Sequence, residues 1–290
     1  MKADYVIVGT GSAGSALAHR LSAHPRVQVV VLESGERDPG KLMRVPRIVS
    51  RFFRGAGSED SVPPEAVTAA RGFAADYDEW GQAAGEQWSF AGVKKYFERI
   101  ESGPLDNTRH RVPADAYLQP ALRRPNLRVR TGATATRVLF DGKRAAAVEF
   151  EHDGHLRVVV VRREVVLCCG AVNTPQLLML SGIGPADQLA EHGIAAVHDA
   201  AEVGANLADP LAVPLVGTEK PRELAELLLR LRAVPHTGES GGFVRSRPDL
   251  ELPDLKLIFA PAPSSVVVGP LLLKPHSRGR VTLRSADPTD

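Results

Sequence analysis

The stretch DYVIVGTGSAG, residues 4–14, decides the fold that this sequence predicts. Its first part, YVIV at residues 5–8, is a continuous apolar run of the kind that forms a buried parallel strand. Gly9, Gly11 and Gly14 follow in the spacing Gly-x-Gly-x-x-Gly, and a run rich in small and apolar residues comes next. A strand, a glycine turn and a helix in this order are typical of the first unit of a dinucleotide-binding fold.

Each glycine of this turn has a mechanical reason. Gly9 permits the tight exit from the strand, Gly11 lets a pyrophosphate approach the backbone, and Gly14 lets the helix pack closely on the sheet. The helix N-terminus favours negative charge, because its first N–H groups are free and its dipole is positive there. Glycine turns also occur for purely structural reasons, so the surroundings of the motif decide its meaning.

The next strand supplies an acidic partner for the turn. VQVVVL, residues 27–32, is a second apolar run, and it ends at Glu33, nineteen residues beyond Gly14. A carboxylate at this place accepts hydrogen bonds from adenosine ribose hydroxyls and repels a 2′-phosphate. The βαβ unit therefore predicts an adenine dinucleotide and argues against NADP.

The middle of the chain changes pattern twice. Residues 38–118 are irregular and contain many prolines and glycines, with short helices expected, for example at 91–100. The stretches between residues 126 and 169 that read as successive strands are LRVRTG, ATRVLF, AAAVEF, LRVVVV and EVVLCC. Asp141-Gly142 and Asp153-Gly154 predict hairpin turns between three of them. We interpret this region as a β-meander inserted into the nucleotide-binding fold.

Further helices and a second sheet are expected after the meander. Residues 174–180 read as a helix with Pro175 in its first turn, 186–192 as a short helix, and 223–232 as a leucine-rich helix. The expected strands of the second sheet are GGFVRS at 241–246, DLKLIFA at 254–260 and GRVTLR at 279–284.

These elements predict an α/β protein with two domains. We expect a Rossmann-like, cofactor-binding domain with the inserted β-meander at residues 1–210, which includes an irregular lid or insert region at 46–118. A reduced antiparallel-sheet domain, partial in extent and suited to binding substrate, is expected at 211–290.

Composition and charge exclude several classes of partner. The chain has 290 residues and a net charge of +2, from 36 basic and 34 acidic residues. This balance lacks the excess of basic residues that is typical of nucleic-acid-binding proteins. No apolar run approaches the ~20 residues of a membrane span, and the N-terminus has no separate charged and apolar signal regions. We expect no nucleic-acid partner, no membrane span and no metal site.

The two cysteines are adjacent in sequence. Neighbouring residues of a strand point to opposite faces, so a disulfide between Cys168 and Cys169 would be strained. We interpret them as small buried residues at a strand end, and we expect a reducing, cytoplasmic location.

Several stretches resemble the glucose–methanol–choline (GMC) oxidoreductase family. Residues 4–14 together with VLESG at 31–35 look like the family's N-terminal flavin signature. GAVNTPQLLMLSGIGP, residues 170–185, is similar to its second signature position for position. Shorter blocks that resemble the family, in the order expected for it, lie at 71–80, 203–209, 241–243 and 277–283.

The resemblance implies FAD as the cofactor and a small-molecule alcohol as the substrate. Family members mostly oxidise CH–OH groups to aldehydes or ketones, with hydride passing to flavin N5. The residues that the resemblance places at the cofactor are Gly9, Thr10, Gly11, Ser12, Ala13 and Gly14 at the pyrophosphate, Glu33 and Ser34 at the ribose end of the second strand, Ala135 beside the adenine, and Gly170 and Ala171 in a loop near the cofactor.

The chain departs from the family pattern at three places. A Gly-Gly-Ser-Ser-type loop that packs against the flavin has no match in residues 55–67, and Asp209-Pro210 stands where the family has Asp-His. The family's active-site histidine and its partner lie beyond the position that matches Asp290. The catalytic residues are therefore unknown from sequence, and a homodimer is expected to cover an edge that the missing segment would leave exposed.

Three functions remain open from the sequence. The first is an FAD-dependent oxidoreductase of GMC type that acts on CH–OH groups. The second is an FAD- or adenine-nucleotide-binding protein without alcohol oxidase activity, such as a remnant, a deletion variant or a photoactive flavoprotein. The third is a cofactor-free scaffold.

Overall fold

A computed structural model describes residues 1–35, 72–101, 117–213, 215–217, 234–235, 241–262 and 265–290. The predicted helix at 223–232, the sequence at 55–67 and most of the predicted insert region lie outside these described residues. The chain divides into two compact units, each built from separate stretches of sequence. The first unit comprises Met1–Arg44, Arg111–Ala208 and Arg278–Asp290, and the second comprises Val45–His110 and Asp209–Ser277.

The first unit is built on a six-stranded sheet in the order β3-β2-β1-β6-β5-β4. The strands are β1 (Lys2–Val8), β2 (Val29–Leu32), β3 (Leu127–Arg130), β4 (Ala133–Asp141), β5 (Arg144–His152) and β6 (His155–Leu167). Strands β3, β2, β1 and β6 run parallel, whereas β4, β5 and β6 form an antiparallel meander. The α/β class and the inserted meander are confirmed.

Strand β6 joins the two parts of the sheet and corrects one sequence prediction. LRVVVV and EVVLCC were expected as two strands, but they form one strand that ends at Leu167. Its first half pairs with β5 as far as Val160, and its second half pairs with β1 up to Leu167. The register between β6 and β1 shifts at Arg162 and Arg163, which lie opposite the single residue Asp4, and the strand continues past this irregularity from one partner to the other.

Both predicted hairpin turns of the meander are confirmed. The β4–β5 hairpin closes at the pair Asp141 and Arg144, and the β5–β6 hairpin closes at His152 and His155. In the second turn Asp153 and Gly154 have φ of 54° and 72°. Two consecutive residues with positive φ match the twist of the flanking strands, which explains why this dipeptide sets the register.

The described helices include those that the sequence predicts there, one of which begins earlier than expected, and two more that the sequence did not specify. They are α1 (Ser12–Leu21), α2 (Ala74–Ala84), α3 (Phe90–Glu101), α4 (Gln119–Ala121), α5 (Gly170–Leu180) and α6 (Ala186–Glu191). Helix α5 was expected to begin at Thr174 but begins at Gly170, which places Pro175 inside it. Pro175 is the sixth residue of this helix and cannot donate to the Ala171 carbonyl, so one helical hydrogen bond is missing there.

The core of the first unit covers both faces of the parallel strands. Val6 and Val8 belong to a cluster around Phe150 on one face, and Ile7 belongs to a cluster with Ala18 on the other. Consecutive strand residues point to opposite faces, so burial of all three shows that β1 is covered on both sides.

The second unit contains helices α2 and α3 and a five-stranded antiparallel sheet in the order β10-β11-β12-β13-β9. Its strands are β9 (Leu215–Gly217), β10 (Val234–Pro235), β11 (Gly241–Val244), β12 (Leu255–Ala262) and β13 (Ser265–Leu272). The expected strands at 241–246 and 254–260 are confirmed as β11 and β12.

The prediction of a third strand in that sheet, at residues 279–284, is wrong. GRVTLR lies in the first unit, where Gly279 forms a single antiparallel bridge with Leu207. Its alternating apolar residues do not need a sheet, because Leu283 packs with Met179 and Leu189 in a separate small core. The first unit also contains a two-residue parallel pair, β7 (Ile183–Gly184) and β8 (His198–Asp199).

Among the described residues, no helix is long and apolar enough to cross a membrane. The same part of the chain shows no group of three or more His, Cys, Asp or Glu side chains that is placed to hold a metal ion.

Candidate functional site

In the turn between β1 and α1, backbone atoms pack closely against two of the three glycines. Gly9 has a φ of +98°, and a Cβ atom built on it would collide with the carbonyl oxygen of Cys168. A Cβ atom on Gly14 would collide with the carbonyl oxygen of Gly9. Only glycine fits at these two positions, because backbone lies against both Cα atoms.

Gly11 differs from its two neighbours in the motif. It is the N-cap of α1, with a φ of −60°, and a Cβ atom built on it would meet nothing within 4 Å. The exposed residues Ser12 and Ala13 follow it, and the N–H groups of the first helical turn have no partner within the helix. No acidic side chain stands in this turn, so it has the space and the partial positive charge that a phosphate requires.

Glu33 ties the end of β2 to the glycine turn. Its Oε2 atom accepts hydrogen bonds from the Thr10 backbone N–H at 2.7 Å and from Thr10 Oγ1 at 2.6 Å. Its Oε1 atom accepts a bond from the Gly35 N–H at 2.9 Å. Thr10 is itself held by Ser15, whose fully buried Oγ donates to the Thr10 carbonyl at 2.7 Å.

The residues after β2 lie beside the start of β4. The N–H of Gly132 donates to the Gly35 carbonyl at 2.8 Å, and the N–H of Ala133 donates to the Glu33 carbonyl at 2.8 Å. Ala135 lies two residues further along β4, opposite Phe150 in β5. Ser34 is exposed between these bonds, so one continuous surface contains the predicted residues Glu33 and Ser34 and the start of the strand that carries Ala135.

The turn between β6 and α5 lies next to the glycine turn. The N–H of Cys168 donates to the Val8 carbonyl at 2.7 Å, which joins the carboxyl ends of the neighbouring parallel strands β6 and β1. Gly170 has a φ of +87°, and the position of a Cβ atom on it is open for 4 Å. The structure thus brings Gly170 to the same sheet edge as Gly9 and Gly11, which is where open α/β sheets bind ligands.

A small cleft adjoins this second turn. It has a volume of about 200 Å³, and Ala171 and Val281 are among the residues that line it. The other lining residues are Thr174, Pro175, Leu178, Val203, Gly204, Ala205 and Leu207. No titratable side chain lines this cleft among the described residues, so its walls offer shape and apolar contact but no proton acceptor.

The two cysteines are free thiols close to this edge. Burial raises the pKa of the Cys169 thiol to about 11 and also raises the pKa of Cys168. The thiolate is the reactive form of cysteine, so both side chains are poor nucleophiles near neutral pH. This agrees with the sequence interpretation of small residues that end a strand.

Sequence reasoning assigned Thr10 to the pyrophosphate cradle and missed its contact with Glu33. The two residues are 23 positions apart, and only the parallel pairing of β1 with β2 brings them together. A threonine between the first two glycines, followed by an acidic residue at the end of the next strand, is the one sequence signal for this pair.

Comparison with known proteins gives consistent results. A family model described as GMC oxidoreductase matches residues 104–212. An uncharacterised GMC-type oxidoreductase of Mycobacterium bovis is 43% identical over 393 aligned positions, which cover 99% of this chain and 74% of the relative. An oxygen-dependent choline dehydrogenase of Brucella suis is 32% identical and is covered over 72% of its length by the whole of this chain. These alignments are longer than the chain's 290 residues, so the chain has internal deletions relative to both relatives.

One structural comparison supports the same fold. The formate oxidase of Aspergillus oryzae superimposes with a TM-score of 0.73 at 21% identity, over 100% of this chain and 76% of that one. At this identity the likeness establishes the fold alone.

Proposed function

The chain belongs to the GMC oxidoreductase family, and we propose that it binds FAD and oxidises the CH–OH group of a small molecule to an aldehyde or ketone. FAD, when bound, supplies the hydride acceptor at flavin N5. The observation that carries the proposal is the convergence of the glycine turn, Glu33 and Gly170 on one sheet edge. The sequence left three functions open, and family membership favours the first.

The adenosine and pyrophosphate half of the site fits the cofactor. We assign the pyrophosphate to the open N-terminus of α1, where Gly11 leaves space and the first-turn N–H groups are free. Glu33 would hold the ribose, and Ser34 and Ala135 lie on the side where the adenine is expected. Gly170 and Ala171, with open space above Gly170, would approach the cofactor from the neighbouring turn.

The domain roles that the sequence predicts are kept here as a proposal. We propose that residues 1–210 carry the cofactor and that residues 211–290 contribute mainly to substrate binding. All the residues proposed to hold FAD lie in the first compact unit, which supports the cofactor role, although Val45–His110 group with the second unit and Arg278–Asp290 with the first.

The proton acceptor for the alcohol is unassigned. A positioned general base contributes roughly 10²–10⁴-fold to such a reaction. None of the histidines that the structure describes lines the cleft beside Ala171. FAD binding therefore does not by itself imply a high rate of alcohol oxidation.

A second candidate function follows from the internal deletions. The chain aligns with its relatives only with gaps, and the sequence at 55–67 does not match a Gly-Gly-Ser-Ser-type loop. An FAD- or adenine-nucleotide-binding protein without alcohol oxidase activity would keep the first unit and dispense with the lost segments.

One experiment separates the candidates. The purified protein is mixed with FAD, freed of unbound flavin, and its visible spectrum is recorded before and after anaerobic addition of a panel of alcohols. We expect bound flavin that bleaches with at least one alcohol. Bound flavin that never bleaches favours the second candidate, and a protein that retains no flavin overturns both.

We also propose a cytoplasmic location and a homodimer. The two free cysteines support a reducing compartment. Leu156, Val158 and Val160 form an exposed apolar row on one face of β6, which a second copy would cover. A molecular mass by light scattering that equals one chain would contradict the dimer.

A further inference from the structure

Three donors of the chain already occupy the Glu33 carboxylate. Thr10 supplies two of them to Oε2, at 2.7 and 2.6 Å, and Gly35 supplies one to Oε1, at 2.9 Å. An ionised carboxylate has about four acceptor positions, two on each oxygen. Oε2 is therefore filled by Thr10, and one position remains on Oε1.

We propose that Thr10 is a positioning residue that limits Glu33 to a single ribose hydroxyl. This inference rests on the proposed function, because it concerns the same nucleotide site. Only one of the two ribose hydroxyls finds a free acceptor on Glu33, while the other must be bound elsewhere or face solvent. Thr10 thereby limits the number of adenosine hydroxyls that Glu33 can recognise to one.

The surroundings of Thr10 hold it in this role. Thr10 as a whole is only 5% exposed, and its carbonyl accepts the bond from buried Ser15. The β-branched side chain has few alternative rotamers, and hydroxyl–carboxylate bonds are among the stronger hydrogen bonds of proteins. Displacing the Thr10 hydroxyl from Glu33 would leave a buried donor without a partner, which is costly.

The same contacts assign Thr10 to the ribose side of the site. Its N–H is directed to Glu33, so it is not free for a phosphate in this arrangement. The free donors of the turn then belong to the start of α1, at Ser12 and Ala13. The pyrophosphate is bound by the helix N-terminus, and the residue between Gly9 and Gly11 serves the carboxylate.

The test compares nucleotides that lack one hydroxyl. Affinities for ADP, 2′-deoxy-ADP and 3′-deoxy-ADP are measured by calorimetry on the full chain. For the native protein we expect one deoxy nucleotide to bind about tenfold or more weakly than ADP, as for loss of a hydrogen bond to a charged group. The other should bind within about twofold of ADP, because its missing hydroxyl has no acceptor on Glu33.

Two substitutions of Thr10 test whether its hydroxyl causes the difference between the two deoxy nucleotides. Thr10→Val keeps the shape of the side chain but removes the hydroxyl, which frees an acceptor position on Oε2 for the second ribose hydroxyl. The difference between the two deoxy nucleotides should then shrink to about twofold or less. Thr10→Ser retains a hydroxyl and should restore the native difference, which a merely structural role of threonine would not explain.

Two outcomes would overturn the inference while leaving the proposed function intact. One is equal weakening by both deoxy nucleotides in the native protein, and the other is an unchanged difference in Thr10→Val. The native measurement decides the matter even if a variant fails to fold. A native protein that binds neither ADP nor FAD would instead overturn the proposed function, and this inference with it.

Discussion

At the residue scale, the three glycines of one motif have different physical reasons. Gly9 and Gly14 are required by the protein's own backbone, because a Cβ atom on either would collide with a carbonyl oxygen. Gly11 has an ordinary φ and open space, so nothing in the described chain requires glycine there. Its lack of a side chain matters only if a ligand approaches, which makes Gly11 the functional member of the three.

This difference predicts opposite effects for two substitutions. Gly11→Val should leave the melting temperature of the protein almost unchanged but lower its affinity for FAD at least about tenfold, since the side chain fills the ligand's space. Gly14→Ala should destabilise the fold by about 1–3 kcal/mol, because the added methyl group forces α1 away from the turn. Thermal melts and FAD titrations check both, with Gly11→Ala as the milder control. Normal FAD binding by Gly11→Val would contradict the placement of the pyrophosphate.

At the element scale, helix α1 is open at one end and anchored at the other. Arg124 donates to the His19 carbonyl and, at 2.8 Å, to Ser22 Oγ. The two N–H groups of the Asn126 side-chain amide are shared among the carbonyls of Ser22, His24 and Val27, at 2.8–3.1 Å. These bonds satisfy groups at the C-terminal end of α1 and in the loop after it. The helix that presents its N-terminus to the ligand is therefore held in place at its C-terminal end.

The anchored end predicts a dependence of stability on pH. Arg124 Nη2 lies 3.2 Å from His19 Nε2, and a guanidinium group can only donate, so this nitrogen must accept and the ring must be neutral. Burial, and then the charges of Arg124 and Arg20, hold the pKa of His19 below its usual value of 6.5. The folded state therefore binds fewer protons at His19 than the unfolded state.

The contribution of His19 to stability is thus fully present above about pH 6.5 and is lost as the pH falls through the lowered pKa. Urea unfolding at pH 7.5 and at pH 5.5 measures the effect, and His19→Gln serves as the matched variant with a neutral acceptor. We expect the native protein to lose more stability than His19→Gln between the two pH values. Equal losses would show that His19 does not titrate in this range.

At the scale of the whole molecule, two compact units are each assembled from separate stretches of the chain. The first unit contains every residue proposed to contact the cofactor and has cores on both faces of its sheet. A ligand that binds the folded first unit and not the unfolded chain must stabilise the fold by mass action.

FAD should therefore raise the melting temperature. At a concentration about 100 times its Kd, the stabilisation is about 2.7 kcal/mol, which corresponds to roughly 5–10 °C. A thermal melt with increasing FAD checks this, and Gly11→Val is the control, which should show at most about half of the native shift at the same concentrations because its affinity is at least about tenfold lower. An equal shift in both proteins would mean that FAD binds elsewhere.

The amino-acid sequence by itself determined the features that depend on neighbouring residues. The βαβ unit follows from apolar runs and glycine spacing at residues 4–33, and the hairpins follow from Asp141-Gly142 and Asp153-Gly154. The family signature at 170–185 is local as well. Each is decided within a few residues, because strand burial, turn conformation and helix entry are set by short-range sterics and hydrophobic pattern.

The tertiary structure decided what depends on partners distant in sequence. The union of two expected strands in β6 required β1 and β5 on its two edges, and GRVTLR joined the first unit because Leu283 found Met179 and Leu189 there. The hydrogen bonds from Thr10 to Glu33 form only when β1 and β2 lie side by side. Hydrogen-bond capacity is a property of such assembled groups, so the single open position on Glu33 is absent from any local pattern.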